Sequence, residues 1–288
     1  MVKLRTDTEG CGCVRCQQVD GEALRRSVAG MLRWSTRIVI DRPSIPLVFL
    51  GVAFLQLFVV LGPGEFAFAG AIVGVAGVFA GRGYIGVVGR DVLAHREPSA
   101  ADALRTVLRR FPAFVGAAIL VVALLVSVGL FVARVLSQPA RVALETAGVS
   151  TFATDVVVLL AVAASVVYLL LKFWFVPEAC FVGGYGPAGS LRASWRLTSL
   201  HRRKVFLVLS GFALLLGVGV ALDTRLADPG SPIALSLRYG ETTVVLRSFG
   251  LSFAGGVRLA FDMAVTILYS GVFVHQYVSG AFEAPSDA

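Results

Sequence analysis

The chain has 288 residues, of which 57% are hydrophobic and only 15% are charged, and its mean hydropathy is +0.81. Soluble domains usually have about 25% charged residues, so this composition excludes an ordinary water-soluble protein and indicates an integral membrane protein. The formal net charge of +8 would suggest a nucleic-acid partner in a soluble protein, but in a membrane protein Lys and Arg first of all mark the cytoplasmic loops.

Residues 1–20 are expected to form a flexible cytoplasmic leader. It contains Cys11, Cys13 and Cys16, and a fourth cysteine, Cys180, follows the fourth apolar run. In a reducing compartment closely spaced cysteines are more often metal ligands than disulfides, and four thiolates would complete a tetrahedral zinc site. The paired C-x-x-C knuckles of such sites are missing, so we expect free thiols and no cofactor, with metal binding as the alternative.

Six apolar runs come close to the length of about 20 residues that a membrane-spanning helix needs. These runs are Ile45–Gly62, Phe66–Gly89, Pro112–Leu136, Phe152–Val176, Val205–Leu222 and Leu259–Ser279. The first two runs are joined by a very short Gly-Pro-Gly-Glu connection, which predicts a tight helical hairpin. The start of the sixth run is open, because the residues before it could extend the helix or lie along the bilayer interface.

The basic residues alternate with these spans. Eighteen Lys and Arg residues lie in the N-terminal arm and in the connections after the second and fourth spans, six lie in the other connections, and two lie within spans. This asymmetry predicts a protein of the cell membrane with both termini in the cytoplasm. The membrane domain is expected to cover residues 21–280, and residues 281–288 are expected to be a short cytoplasmic tail.

A similar arginine-rich phrase precedes the first, third and fifth spans. These arginine segments begin at Glu22, Asp102 and Gly189, and their shared Leu-Arg core lies at Leu24, Leu104 and Leu191. The pattern predicts an all-α integral membrane protein in which six transmembrane helices form three repeats of an interfacial amphipathic helix plus a transmembrane hairpin. The three repeats are expected at about 21–89, 100–176 and 188–280.

The arginine segments are candidate binding sites for lipids or for a membrane partner. At about 100° per residue the arginines of one segment share a face, and basic amphipathic helices with Trp or Phe on the buried side lie in the bilayer interface. The candidate residues are Arg26, Arg33, Arg37, Arg105, Arg109, Arg192, Trp195, Arg196 and Arg203. Simple anchoring of the spans is the alternative, and nucleic-acid binding is not expected because no groove-reading motif accompanies the charge.

The stretch "VPEACFVGGYGPAGSLRASWRLTSLHRRKVF" resembles the signature region of a group of prokaryotic multi-pass proteins. The group contains the YciC-like proteins and the membrane domain that is fused to glycerophosphoryl diester phosphodiesterases. The matching residues are Pro177, Glu178, Leu191, Ser194, Trp195, Leu197 and Arg202. The resemblance implies a multi-pass helical fold. It does not imply phosphodiesterase activity, because the chain is too short to contain the soluble catalytic barrel in addition to the six spans.

The second span has a face made of glycine. Gly70, Gly74, Gly77 and Gly81 project within about 60° of one another on a helix. Each glycine gives up about 1 kcal/mol of helix propensity relative to alanine, and small residues at this spacing let a neighbouring backbone come close. We expect this face to pack within the bundle; a homodimer seam and a pore lining or hinge are the alternatives.

One charged residue lies deep in a span. Arg82 is about 7 Å from the middle of the second span at 1.5 Å per residue. An unpaired charge at that depth costs about 2.5–3.5 kcal/mol on insertion scales, so we expect Arg82 to find an acceptor, such as the backbone carbonyls of a broken helix. Asp262 lies on the other side of the midplane and is expected to be out of reach. His275, late in the sixth span, is a weaker candidate.

Other charged residues lie at the ends of spans and are predicted to be boundary residues: Asp155, Lys172, Glu178 and Asp262. Lys172 is close enough to the cytoplasmic end of the fourth span for its amine to reach the headgroups. Asp262 follows Arg258 by four residues, which predicts an ion pair along one helix face.

Catalytic signatures are absent from the sequence, which has no nucleophile elbow, no H-E-x-x-H and no P-loop lysine. We therefore expect a non-catalytic membrane protein that organises lipids or membrane partners through its arginine segments. Its partners would be anionic headgroups at the cytoplasmic face, with a membrane protein or a second copy as further possibilities. The alternative is a transporter of an anionic or lipid-like substrate through the bundle.

Overall fold

The computed structural model describes residues 26–60, 67–97, 99–200, 202–226, 233–239, 242–249 and 253–282. These residues form ten α-helices, one π-helical turn and one β-hairpin. In chain order they are α1 (Val28–Asp41), α2 (Ser44–Val60), α3 (Ala67–Leu93), α4 (Ala100–Phe131), a π-turn (Val132–Leu136), α5 (Ser137–Thr146), α6 (Thr151–Lys172), α7 (Val176–Phe181), α8 (Pro187–Leu200), α9 (Arg202–Leu226), β1 (Ile233–Tyr239), β2 (Thr242–Phe249) and α10 (Phe253–Phe282).

Within these described ranges, five helical stretches are long and apolar enough to cross a membrane. They are Ile72–Leu93, Ala100–Leu144, Thr151–Phe181, Arg202–Leu222 and Gly256–Ala281. A sixth crossing results if α1 and the start of α2, which are bent by 81°, count as one broken span. The structure is thus that of a helical membrane protein with five or six candidate crossings, and the predicted first span, Ile45–Gly62, contributes only as part of the bent pair. The three-repeat arrangement and the cytoplasmic location of the termini stay predictions.

The second arginine segment is not a separate helix, in contrast to the prediction. It continues into the third span as α4, which runs without interruption through Pro112. The departure from regular α-helix comes later, at the π-turn, three residues before Pro139. Proline lacks the N–H that would bond to the carbonyl four residues earlier, here that of Val135 within the π-turn, so the regular hydrogen-bond ladder is interrupted at this place.

The segment before the sixth span contains a β-hairpin that the sequence analysis did not predict. Its strands β1 and β2 are antiparallel, with Tyr239 opposite Thr242 at the turn and an irregularity in register between Leu235 and Ser236. Helix α10 then begins at Phe253, which resolves the open start of the sixth span in favour of the longer helix.

The buried core lies at one end of the bundle. The second half of α3, from Gly81 to Gly89, and the second half of α10 are almost continuously buried, and α1, α7 and α8 pack around them. Elsewhere, large apolar side chains such as Ile119, Leu160 and Leu214 are exposed on α4, α6 and α9. Exposed apolar surface of this extent is expected where hydrocarbon, rather than water, surrounds the helices.

Candidate functional site

A bidentate ion pair joins α3 to α7 inside the packed end. Arg82 Nε donates to Glu178 Oε1 at 2.6 Å, and Arg82 Nη2 donates to Glu178 Oε2 at 2.9 Å. A third bond runs from Nη2 to the Trp174 carbonyl oxygen at 3.0 Å, and the guanidinium carbon lies 4.6 Å from the centre of the Phe273 ring. Both charged residues are buried, with 8% and 2% of their surfaces exposed. The pair therefore satisfies two charges that neither helix could bury alone.

Glu178 reaches this position because the helix breaks in front of it. Helix α6 ends at Lys172, and α7 begins at Val176, with Pro177 in its first turn, where a missing N–H costs nothing. Ser194 of α8 fills the break: its Oγ donates to the Lys172 carbonyl at 2.8 Å and accepts from Phe175 N–H at 3.2 Å. Backbone groups that a broken helix leaves open are thus paired by a side chain.

The other end of α7 is held by α4. Arg110 Nη1 donates to the Phe181 carbonyl at 2.5 Å. The same guanidinium lies over Gly184, whose φ of +66° suits glycine and where an added Cβ would stand 3.2 Å from Arg110 Nη2. Nearby, burial raises the pKa of the Tyr185 phenol to about 12, against the opposing effect of Arg196, so Tyr185 stays neutral at physiological pH.

These contacts change one prediction about charged residues and agree with two others. Glu178 was predicted only as a residue at the end of a span; the structure buries it in the core, where it is the main partner of Arg82. The expected backbone acceptor for Arg82 does exist, at Trp174. Asp262 pairs instead with Arg258 at 3.2 Å, as its spacing predicted. The Pro-Glu step directly after an apolar run was the only sequence signal for Glu178.

The glycine face of α3 contacts the neighbouring helix of the same chain. A Cβ at Gly77 would stand 2.7 Å from Val52, and one at Gly81 would stand 2.7 Å from Phe49, both on α2. Gly74 is buried, and the surroundings of Gly70 lie outside the described residues. A second row of glycines on α3 was not predicted: Gly83 faces Phe181, and Gly86 faces Val182.

Lys172 is buried rather than extended toward solvent. Only 8% of its surface is exposed, and its Nζ donates to Ser199 Oγ at 2.7 Å. The ammonium also lies 5.0 Å from the centre of the Trp195 ring and 5.6 Å from that of Tyr168. Helix α8 therefore surrounds the amine with hydroxyl and aromatic groups, and the reach of Lys172 to the headgroups stays a prediction.

The three arginine segments lie at the same end of the bundle. In α1, the Trp34 ring packs edge-on against His275 of α10 at 5.2 Å. In α4, Arg110 caps α7, and an added Cβ at Gly116 would stand 3.0 Å from Pro187, the first residue of α8. His275 itself is fully buried in this packing. The juxtaposition agrees with the alternation of basic residues along the chain.

The candidate lipid-binding residues point away from this core. Eight of the nine are exposed, and Arg26 is half-buried with its guanidinium 5.9 Å from the centre of the Trp34 ring. Arg37 and Arg105 form exposed ion pairs with Asp41 and Asp102 at 3.5 Å each. Within the described ranges, no carboxylate pairs with the remaining exposed arginines of this set, which are Arg33, Arg109, Arg192, Arg196 and Arg203.

A cleft of about 420 Å³ opens between the end of α6, the end of α8 and the start of α9; we call it the α6–α9 cleft. Its polar end is formed by Lys172, Thr198, Arg202 and Arg203. Its apolar wall is formed by Tyr168, Leu171, Val205, Phe206 and Leu209. The volume lies within the range of about 300–1,000 Å³ that is usual for ligand pockets.

The cysteines do not form a metal site in the part of the chain that the structure describes. Cys180 is a free, buried thiol on α7, and no group of three or more His, Cys, Asp and Glu side chains within the described ranges could hold a metal ion. Cys11, Cys13 and Cys16 lie outside those ranges, so their predicted state is not tested.

No protein-family model, curated protein or solved structure matches the chain. The resemblance to YciC-like proteins therefore stays a prediction that rests on the quoted residues.

Proposed function

We propose that the protein is a non-catalytic membrane protein that organises anionic lipids, and membrane partners that carry acidic groups, through its arginine segments. The observation that carries this proposal is the outward orientation of the segment arginines at the packed end of the bundle. An anionic leaflet attracts each Lys or Arg near its surface by about 1 kcal/mol, so several arginines together concentrate acidic lipids around the protein.

The surface around these arginines suits the bilayer interface. Leu104 and Leu108 are exposed beside Arg105 and Arg109 on the first turns of α4, and the exposed Trp195 adjoins Arg196 on α8. Helical surfaces that combine basic and apolar or aromatic side chains lie at the boundary between headgroups and acyl chains. This combination supports a position of the packed end next to the headgroups.

The test measures lipid selectivity with spin-labelled lipids. In bilayers of phosphatidylcholine, the wild-type protein is expected to immobilise spin-labelled phosphatidylglycerol in preference to phosphatidylcholine, with a preference that weakens as salt is added. The variant Arg105→Gln/Arg109→Gln/Arg192→Gln/Arg196→Gln should lose most of this preference. Arg134→Gln, which changes an exposed arginine of the π-turn, is the matched control and should retain it. An unchanged preference in the fourfold variant would refute the proposal.

Transport of an anionic or lipid-like substrate is a second candidate. The broken helix at α6–α7 and its buried carboxylate favour it, because transporters often place their sites at interrupted helices. Transport would require the Arg82–Glu178 pair to open. It would be recognised by thermal stabilisation of the detergent-solubilised protein by the transported anion, lost when Arg82 is replaced.

A further inference from the structure

We propose that the α6–α9 cleft binds one anionic phospholipid, with its phosphate at Lys172, Arg202 and Arg203 and an acyl chain along the apolar wall. This site deepens the proposed function and rests on it: the arginine segments collect acidic lipids at the packed end, and the cleft holds one of them. Three observations support the proposal: the charge of the cleft, the order of side chains along α9, and the aromatic rings around Lys172.

The cations of the cleft differ from the other buried cations in their partners. Three cations buried by the helices can be compared: Arg82 is paired with Glu178, Arg258 is paired with Asp262, and Lys172 is bonded to the hydroxyl of Ser199. No carboxylate of the described residues lines the cleft. Arg202 and Arg203 line the same cleft and add two further positive charges to it.

A buried cation in an apolar surrounding is costly unless an anion compensates it. For Arg82 and Arg258 the chain itself supplies the compensating carboxylate, from Glu178 and Asp262 respectively. Lys172 lines the cleft, and no described carboxylate lies there, so we infer that an anion from outside the chain compensates the ammonium. A phosphate group fits this role, because it accepts charge-assisted hydrogen bonds from several donors at once.

The order of residues along α9 matches the order of groups in a phospholipid. Arg202, Val205, Phe206 and Leu209 follow the spacing i, i+3, i+4 and i+7, which places them along one helix face. The basic residues are at the start of the helix, and the apolar residues follow toward the middle of the span. A lipid whose phosphate contacts Arg202 and Arg203 would therefore lay its acyl chain over Val205, Phe206 and Leu209.

Two aromatic side chains lie around Lys172: Tyr168 of the apolar wall, and Trp195 beside the cleft. Tyr168 and Trp195 lie edge-on to each other at 6.1 Å and both contact Lys172. Tyr and Trp are enriched at the headgroup level of membranes, where one end of the ring is wet and the other apolar. The cleft is thus expected to lie at the depth of the phosphates, which favours a bilayer lipid over a soluble anion.

The experiment counts the lipids that stay bound to the full chain. The protein is released from nanodiscs of mixed phosphatidylglycerol and phosphatidylcholine and studied by native mass spectrometry. We expect one phosphatidylglycerol per chain to be retained in preference to phosphatidylcholine. Lys172→Gln should weaken this retention by about tenfold or more, as expected for loss of a charge-assisted contact, whereas Lys172→Arg should preserve it. Equal retention in wild type and Lys172→Gln would overturn the proposal.

Two controls separate this site from the diffuse effect of the arginine segments. The variant Arg105→Gln/Arg109→Gln/Arg192→Gln/Arg196→Gln leaves the cleft residues unchanged, so it should keep the single retained lipid even if its spin-label selectivity is lost. Loss of the retained lipid in this variant but not in Lys172→Gln would place the binding elsewhere and overturn the cleft. In a third distinguishable outcome, lipid retention depends on Lys172 while the fourfold variant keeps wild-type spin-label selectivity. That result would support lipid binding in the cleft and refute the broader function of the arginine segments.

A third measurement does not depend on removing a charge. A photoreactive phenylalanine analogue at Phe206 should cross-link phosphatidylglycerol, because this position lies on the apolar wall, whereas the same analogue at the exposed Phe131 of α4 should show no preference for it. Glycerol 3-phosphate, which has the headgroup phosphate but no acyl chain, should not displace the lipid at millimolar concentration. Displacement by glycerol 3-phosphate would show that the cleft takes a soluble anion and would overturn the lipid assignment.

Discussion

Arg82 and Lys172 are both buried cations, and the fold treats them differently. Arg82 has two bonds to Glu178, one to a backbone carbonyl and a position over the Phe273 ring. Lys172 has one neutral hydroxyl partner and two aromatic neighbours. The first arrangement is complete within the chain and acts as a structural tie between α3 and α7. The second is open toward a cleft and suits an exchangeable anion.

Removing one partner of the Arg82–Glu178 pair should lower the free energy of unfolding more than replacing both partners by apolar residues. Glu178→Gln is expected to lower the free energy of unfolding by about 3–5 kcal/mol, because it leaves an uncompensated buried charge. The double variant Arg82→Met/Glu178→Met should lose less than the sum of its single variants. Denaturant unfolding in detergent would measure both effects.

The exposed ion pair between Arg141 and Asp155 is the matched control for these variants; its Nη2 and Oδ1 atoms are 2.7 Å apart. Because exposed ion pairs contribute little, Asp155→Asn should cost less than about 1 kcal/mol. If the two single losses at Arg82 and Glu178 simply added, the two residues would not form the coupled pair described here.

At the scale of elements, α3 is held by close contacts on two glycine rows. One row meets Val52 and Phe49 of α2, and the other meets side chains of α7 and of the segment after it. The sequence predicts the first row because its spacing is a local property of one helix. It does not predict the break between α6 and α7, because the break depends on Ser194, which belongs to another helix and reaches it only in the folded chain.

A pair of glycine substitutions tests whether the glycine face packs within the chain. Gly81→Ala should destabilise the protein, because its Cβ would stand 2.7 Å from the Phe49 ring and force it to move. Gly51→Ala on α2 has nothing within 4 Å of the added Cβ, so it should be neutral or stabilise by up to about 1 kcal/mol through helix propensity. Thermal unfolding in detergent would compare them. Equal effects of the two substitutions would argue against close packing at Gly81.

For the whole molecule, the sequence predicts the number and type of spans better than their connections. Apolar length is sufficient to locate five or six crossings, since hydrocarbon imposes that length on every helix. The merging of the second arginine segment with the third span, the β-hairpin and the inward position of Glu178 all depend on contacts between distant segments. For that reason the burial of Glu178 and Lys172 inside the packed end was not predictable from the sequence, and the common membrane face of the basic residues stays a prediction.

The proposed position of all three arginine segments at one face of the membrane underlies both proposals. It is tested by introducing single cysteines into a chain whose native cysteines are replaced, at Arg105, at Arg192 and at Ala147 in the exposed turn between α5 and α6. A membrane-impermeant maleimide should label Arg105→Cys and Arg192→Cys from the cytoplasmic side and Ala147→Cys from the opposite side. Labelling of Arg105→Cys and Arg192→Cys from opposite sides would contradict the account.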